Sequence, residues 1–315
     1  MKRLVMTLLL ASFLIPRPSP SSQPPSIALI ITDRAAAYEM VADGIQEGFK
    51  GEAKIELYDM KDSRKNDEKI VSKIASQDPA LVVALGDKAA RLASEQLRSH
   101  PILIGMVLEM DVESFKLPGV EGVGLQIPAQ SVLTQLRLLV PNIRRVGVIS
   151  SADKFLSFRE SIRASARSMG VQAVDVALTG KGEIEERLNR DLDALDAVWL
   201  LPDPRIVDST TFQMIVEKTK AAKKPFVAYS ENFVKAGALF SVSPDYNATG
   251  QQLVLLSKKM LSKDSVRPEQ PYLSKFHYPI GSYSVLNLRT AEAIGLNLSQ
   301  TQLGFVNRIV NGNNR

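Results

Sequence analysis

Ten short apolar runs alternate with amphipathic segments between residues 26 and 244, and few folds can absorb such a pattern. The runs are SIALIITD (26–33), KIELYDM (54–60), ALVVALGD (80–87), PILIGMVLE (101–109), GVEGVGLQI (119–127), RRVGVISS (144–151), VQAVDVAL (171–178), DAVWLLPD (196–203), KPFVAYSE (224–231) and GALFSVSP (237–244). Most are nearly continuous in apolar residues rather than alternating, as in strands buried on both faces of a parallel sheet. Between them lie segments with apolar residues three and four apart, such as AYEMVADGIQEGF with Met40, Val41, Ile45 and Phe49, SVLTQLRLLV and FQMIVEKTKAA. Ten strands are too many for one compact sheet in 315 residues, so two similar α/β lobes of about five strands each are expected. The second series restarts at VPNIRRVGVISS. VEGVGLQIPAQ, GALFSVSPDY and YSVLNLRTAEAIGLNLS then read as three crossovers that would form a hinge beside a cleft.

The chemistry that is missing narrows the function. No G-x-G-x-x-G follows a strand, and no phosphate-binding Walker loop or G-x-S-x-G elbow occurs. The chain has no cysteine, which excludes disulfides, thiolate metal sites, cysteine nucleophiles and a lipid-modified cysteine anchor. Its two histidines, His100 and His277, are far apart, so neither a metal nor another cofactor is expected. The net charge of +5 is interleaved with acids, as in RESIRASARS and EIEERLNRD, without a basic stripe or regularly placed aromatics. Nucleic acid is therefore not an expected partner. Binding is expected rather than catalysis.

MKRLVMTLLLASFLIPRPSPSSQPPS opens with Lys2 and Arg3, continues with a short apolar core from Leu4 to Ile15, and ends in proline and serine. This is the pattern of a secretory leader followed by a Pro/Ser linker, over residues 1–25. The apolar core is too short for an ordinary membrane span. Export to the periplasm or another extracytoplasmic space is expected, with cleavage or an uncleaved anchor both open.

In GALFSVSPDYNATGQQ a strand empties into a helix through Ser243, Pro244, Asp245 and Tyr246. Capping explains part of this: Ser243 suits an N-cap, Pro244 the first helical position and Asp245 the positive end of the helix dipole. A strand-to-helix corner in an α/β protein is also where ligands sit. Asp245 and Tyr246 are expected to do both jobs.

The order and spacing of GIQEGF, ALVVALGDKAA, DAVWLLPDPRIVDS, KPFVAYSENFVKAGALFSVSPDYNATGQQ and VLNLRTAEAIGLNLS resemble the substrate-binding components of ABC transporters. The resemblance is to the periplasmic-binding-protein-like group that includes tryptophan- and tyrosine-type amino-acid receptors. It covers nearly the whole chain after the leader. It implies two Rossmann-like lobes, each a parallel sheet flanked by helices, joined by three hinge crossovers in a type I periplasmic binding protein. The first lobe would comprise 26–125 plus 243–275, and the second 126–242 plus 276–315. A small solute would bind between them and a membrane ABC permease would receive it, with the binding protein acting as a monomer.

By the same resemblance, ligand contacts come from the turns after the strands. Here these are Arg34 and Tyr38, then Gly86, Asp87 and Lys88, then Ser151, Asp203, Ser230 and Glu231, with Asp245 and Tyr246 at the return crossover. Each has a plainer alternative. Asp203 could cap a proline-bracketed turn, Tyr38 could pack on its helix and Arg34 could be a solvated loop charge. Asp87 and Lys88 could be a first-turn acid and its exposed neighbour, and Glu231 a hinge acceptor. Trp199, inside an apolar strand, is expected in the core rather than the pocket.

The chain departs from amino-acid-binding relatives by carrying Asp87-Lys88 where a small hydroxyl usually follows the glycine, and Pro204 where asparagine often follows the aspartate. Most candidate turns carry carboxylates, which disfavours a strongly anionic ligand and favours an amino acid or related zwitterion, a hydroxylated solute or a cation. A sensory module for a membrane receptor, a two-lobed enzyme and, more remotely, a DNA-binding repressor are the alternatives. Neighbouring permease genes would separate the first from a transporter component, turnover of a bound compound would mark the second, and the leader argues against the third.

Overall fold

The structure is a computed structural model that describes residues 24–61, 64–109, 115, 118–262 and 275–311. The expected leader lies outside these residues. From the N-terminal side, β1 (Ser26–Ile31), α1 (Ala36–Gly48), β2 (Lys54–Asp59), α2 (Arg64–Gln77), β3 (Leu81–Leu85), α3 (Asp87–Gln96), β4 (Ile102–Val107) and β5 (Val120–Gly124) alternate. A second series follows with α4 (Ala129–Leu139), β6 (Arg145–Ser151), α5 (Leu156–Ser168), β7 (Gln172–Leu178), α6 (Ile184–Asp191) and β8 (Ala197–Leu200). It continues through α7 (Ser209–Ala221), β9 (Phe226–Ala228), α8 (Glu231–Lys235) and β10 (Phe240–Pro244). The chain ends with α9 (Tyr246–Leu261), β11 (Lys275–His277), β12 (Ser282–Asn287), α10 (Leu288–Ala293), α11 (Gln300–Leu303) and β13 (Arg308–Val310).

Among the described residues these strands form two sheets, ordered β11-β5-β4-β3-β1-β2 and β13-β12-β10-β9-β8-β6-β7. All pairings are parallel except β10 with β12. Each sheet is covered on both faces, which is why its strands are apolar at successive positions. In the first, Leu29, Ile31, Val83 and Leu85 pack with Val41 and Ile45 of α1 and Leu253 of α9, while Ile30, Val82 and Ala84 pack with Ile74 and Ala93 on the other side. In the second, Val146, Val148 and Trp199 pack with Leu133, Phe158 and Ile162, while Ile149, Val198 and Leu200 pack with Leu188, Phe212 and Ile215.

The chain passes between the sheets three times, after β5, after β10 and between β11 and β12. Ser243 and Pro244 end a strand of the second sheet, and Phe276 and His277 lie in the first. The third passage therefore falls at Tyr278–Gly281, ahead of the segment 283–299 expected to carry it. β12 pairs with β10 from Ser282 to Leu286 and with β13 from Val285 to Asn287, which holds YSVLN inside the second sheet. The three-residue β11 that precedes the passage is too short to show as a periodic run.

The SPDY corner also differs from its expected capping. Asp245 is the N-cap: its side chain accepts from the Asn247 and Ala248 N–H groups at 2.9 and 3.1 Å, and Tyr246 opens α9. Pro244 stays in the strand, opposite Ser282. The downstream NATGQQ places Gly250 against α1, where a Cβ would come within 3.3 Å of the Val41 carbonyl oxygen and 3.6 Å of the Gly44 Cα. Two helix backbones meet there, and only hydrogen fits comfortably between them.

Candidate functional site

The C-terminal ends of the strands in both sheets, where α/β proteins present their ligand sites, converge on the crossovers. Between the lobes is a hollow of ≈ 320 Å³. The first lobe and its crossover contribute Leu108, Leu125 and Tyr246; the second contributes Phe158, Trp199, Leu201 and Tyr229. An adjoining hollow of ≈ 560 Å³ lies between the start of α1, with Ala36 and Met40, and α8, with Glu231 and Lys235. Ser230, Pro244 and Tyr246 line both, so they form the wall between them.

The aromatic character of the smaller hollow has a structural cause. Trp199 sits in β8 on the same face as Val148, with its ring edge-on to Phe158 at a centroid distance of 6.1 Å. It is buried in the core and also lines the hollow, which corrects the expectation of core alone. Tyr229, just beyond β9, packs edge-on against Phe233 at 4.8 Å. Burial first, and then the Asp203 charge, pushes its phenol up to about 12. Burial also raises the Tyr246 phenol. Both hydroxyls therefore stay protonated at neutral pH and can donate to a ligand.

Asp203 is almost fully buried at 1% exposure, and its oxygens are already engaged. The Ser151 N–H donates to one at 2.9 Å and the Arg205 N–H to the other at 3.1 Å, while the Ile206 and Val207 N–H groups reach its carbonyl. LPDPR is a turn with Pro204 in its second position, and the aspartate ties it to the end of β6. Ser151 serves in that tie through its backbone. Its carbonyl also accepts from the buried Arg159 guanidinium, at 3.4 Å.

The other charged candidates are similarly occupied. Arg34 is exposed and donates to Asp59 at 3.0 Å and Glu39 at 3.5 Å; it lines neither hollow. Glu231 lines the larger hollow but is held by Lys235 at 2.6 Å and Arg308 at 3.2 Å. Asp245 lines it too, with one oxygen spent on the helix cap.

Gly86, Asp87, Lys88 and Tyr38 form a separate group at the head of α3. Gly86 has φ +91° and ψ 160°, and a Cβ there would lie 2.6 Å from Thr32 Oγ1 and 2.7 Å from the Tyr38 hydroxyl oxygen. Glycine is required both by the backbone and by the approach of these two side chains. Thr32 was not singled out by sequence, yet it donates to the Leu85 carbonyl at 3.0 Å and accepts from the Ala89 N–H at 3.3 Å, stitching β1 to β3 and α3. Burial first, then the charges of Asp87 and Asp33, pushes the Tyr38 phenol up to about 12. Asp87 is half-buried, and burial raises its carboxyl from the ordinary range. The Leu108 N–H faces it at 3.5 Å, the long limit of a hydrogen bond.

One ion pair bridges the two lobes at this end. Lys154, after β6, meets Glu109, after β4, at 3.3 Å. Their residue types gave no sign of it, because the partners are far apart in sequence. Replacing Lys154 by Met and Glu109 by Gln, singly and together, is expected to give a coupling of about 0.2–1 kcal/mol in thermal stability, as for partly exposed pairs. At 1 M salt, where the screening length is about 3 Å, the coupling should largely vanish.

The chain can now be set beside known proteins. A family model described as ABC transporter substrate binding protein matches residues 26–303. The chain belongs to the ABC transporter substrate-binding protein family. A ligand-free, open substrate-binding protein with adhesive properties from Clostridium difficile superposes with a TM-score of 0.74 at 17% identity, over 92% of this chain and 100% of that one. An ABC domain in complex with L-Trp from Streptococcus pneumonia superposes with a TM-score of 0.62 at 21% identity, over 90% and 100%. An arabinose-binding protein from Geobacillus stearothermophilus gives 0.58 at 10% identity, over 88% and 100%. No curated protein matches the chain. At these identities the structural likeness establishes the fold, a type I periplasmic binding protein. Membership of this family of substrate-binding proteins implies a small-molecule ligand and a permease partner.

Within this substrate-binding protein, the expected residues Ser230 and Tyr246 line both hollows, and Phe158, Trp199 and Tyr229, which were not expected there, line the smaller one. A signal was available for Trp199: it stands two residues before Leu201, where the strand gives way to prolines, so a large ring can reach past the sheet edge.

Proposed function

We propose that this protein is the exported solute-binding component of an ABC importer and that it acts as a monomer. It would capture a small polar solute with an apolar or aromatic body between its lobes, in the amino-acid and amine range. Binding would close the hinge at the three crossovers, and the permease would then recognise the closed form. The observation that carries this reading is the aromatic hollow at the crossovers, built by residues of both lobes. A ligand that touches both lobes only when they approach shifts the population toward closure. The hollow falls in the ~300–1,000 Å³ range of small-molecule sites, with few polar groups among apolar ones. Among the expected contacts, Ser230 and Tyr246 line the hollow, while Tyr38, Gly86, Asp87 and Lys88 line neither hollow and would have to be reached from it as the lobes close.

A thermal-shift screen against amino acids, amines, sugars, nucleosides and small organic acids tests the proposal. A true ligand at a hundred times its dissociation constant should add about 2.7 kcal/mol, a rise of several degrees. The same ligand should reduce the radius of gyration in solution scattering as the lobes close. A panel that leaves the melting temperature unmoved throughout would remove the solute-binding reading.

A further inference from the structure

The charge arrangement of the cleft points to a narrower ligand class. We propose that the cleft recognises a protonated amine carried on an aromatic or apolar body, with Asp87 as the counter-ion, and that it does not require a ligand carboxylate. This inference rests on the proposed solute-binding role.

Three observations carry it. First, the carboxylates that the sequence offered as ligand partners are mostly consumed by the protein. Asp203 accepts from two backbone N–H groups at 2.9 and 3.1 Å, and Glu231 is held by Lys235 and Arg308. Asp245 caps α9. Asp87 is different. The Leu108 N–H donates to it only at a long 3.5 Å, the Arg91 and Lys154 charges act on it from nearby, and Leu108 itself lines the aromatic hollow. Burial already weighs against its charge. A carboxylate whose burial outweighs the compensation it receives gains from an incoming cation.

Second, the hollow that Leu108 borders has Phe158, Trp199, Tyr229 and Tyr246 in its lining. Aromatic faces attract an ammonium group through the ring quadrupole, and they also cover an apolar body. Tyr38 stands beside Asp87 with a protonated hydroxyl. The combination of an anion and several rings suits an organic cation more than a zwitterion.

Third, three basic groups near the same rim are engaged by acids. Lys154 pairs with Glu109 at 3.3 Å, and Arg205 donates to Asp153 at 3.1 Å. Lys235 is bound to Glu231 at 2.6 Å. At these three groups a ligand carboxylate would have to displace a protein carboxylate, and it would meet Asp87 where a small hydroxyl would otherwise donate to it. Repulsion there discriminates against acids as much as attraction selects amines.

The test is calorimetric titration and thermal shift with the full protein and two matched sets of probes: tryptamine, tryptophan and indole-3-propionate; then tyramine, tyrosine and 3-(4-hydroxyphenyl)propionate. At least one amine is expected to bind ten-fold or more tighter than its amino acid, with its deaminated acid showing no saturable binding. Asp87→Asn is expected to weaken that amine at least ten-fold without lowering the unliganded melting temperature. The native-protein comparison stands even if the variant folds poorly. Tight binding of an amino acid with weak binding of its amine, or unchanged amine affinity in Asp87→Asn, would overturn the inference and leave the solute-binding role intact. So would silence from all six probes alongside a strong response to a sugar, nucleoside or other organic acid. Silence from every solute class would instead bring down the solute-binding reading, and this inference with it.

Discussion

Trp199→Ala is expected to lower the melting temperature of the second lobe by about 6–20 °C and to abolish measurable solute binding. The side chain is 5% exposed, packs edge-on against Phe158 and belongs to the core shared with Val148, Ile162 and Val227. Truncating a buried tryptophan costs about 3–5 kcal/mol in lost transfer energy and cavity formation. At about 2–4 °C per kcal/mol for a lobe of this size, the shift should be plain in a melting curve. The same ring lines the inter-lobe hollow, so its loss removes ligand surface as well. Trp199→Phe separates the two effects: it should recover much of the stability and only part of the affinity. Wild-type affinity in a destabilised Trp199→Ala protein would show that the ring serves the core alone.

The second large effect is expected at Asp203, and it should fall on stability rather than on binding. Asp203→Ala leaves the buried Ser151 N–H and the partly buried Arg205 N–H without their acceptor. Each buried, unsatisfied donor costs about 1–3 kcal/mol, so a loss of about 2–4 kcal/mol is expected. Denaturant unfolding at unchanged slope should show it as a lower midpoint. Asp203→Asn retains one oxygen and should lose less. The folded fraction of either variant should bind solute within about three-fold of the unaltered protein. A drop of ten-fold or more in Asp203→Asn, at a temperature where it is fully folded, would restore Asp203 as a ligand contact.

These two residues show why the fold was easier to read than the site. Strand positions are encoded by local composition: IALII, LVVAL and ILIGMV can only be satisfied by cover on both faces. The helices between them carry the matching spacing. Short, edge-lying β11 and β13 have three residues each and no periodicity to detect. The third passage between lobes was misplaced for that reason, because the antiparallel pairing of β12 with β10 is a long-range fact.

At the site, the residue types were informative but their employment was not. An aspartate after a strand can face a ligand or staple a turn. The choice for Asp203 depends on where the Ser151 N–H lies, fifty-two residues away. Arg34 could have gripped a carboxylate from a ligand; Asp59 at the end of the neighbouring strand supplies one from the protein. Tyr246 was legible because its corner joins a strand to a helix. Phe158 and Tyr229 were not, since nothing local distinguishes a ring in a core from a ring at its rim.

The sequence by itself determined the α/β class, the two series of strands and the absence of familiar catalytic motifs, because propensity, periodicity and residue chemistry act over short spans of chain. Only the tertiary structure decided which carboxylates were spent on backbone amides, that Gly86 must clear Thr32 and Tyr38, and that Glu109 meets Lys154 across the lobes. Burial and partnership fix the energy of a polar group, and both are set by residues distant in sequence that meet only when the two sheets are assembled.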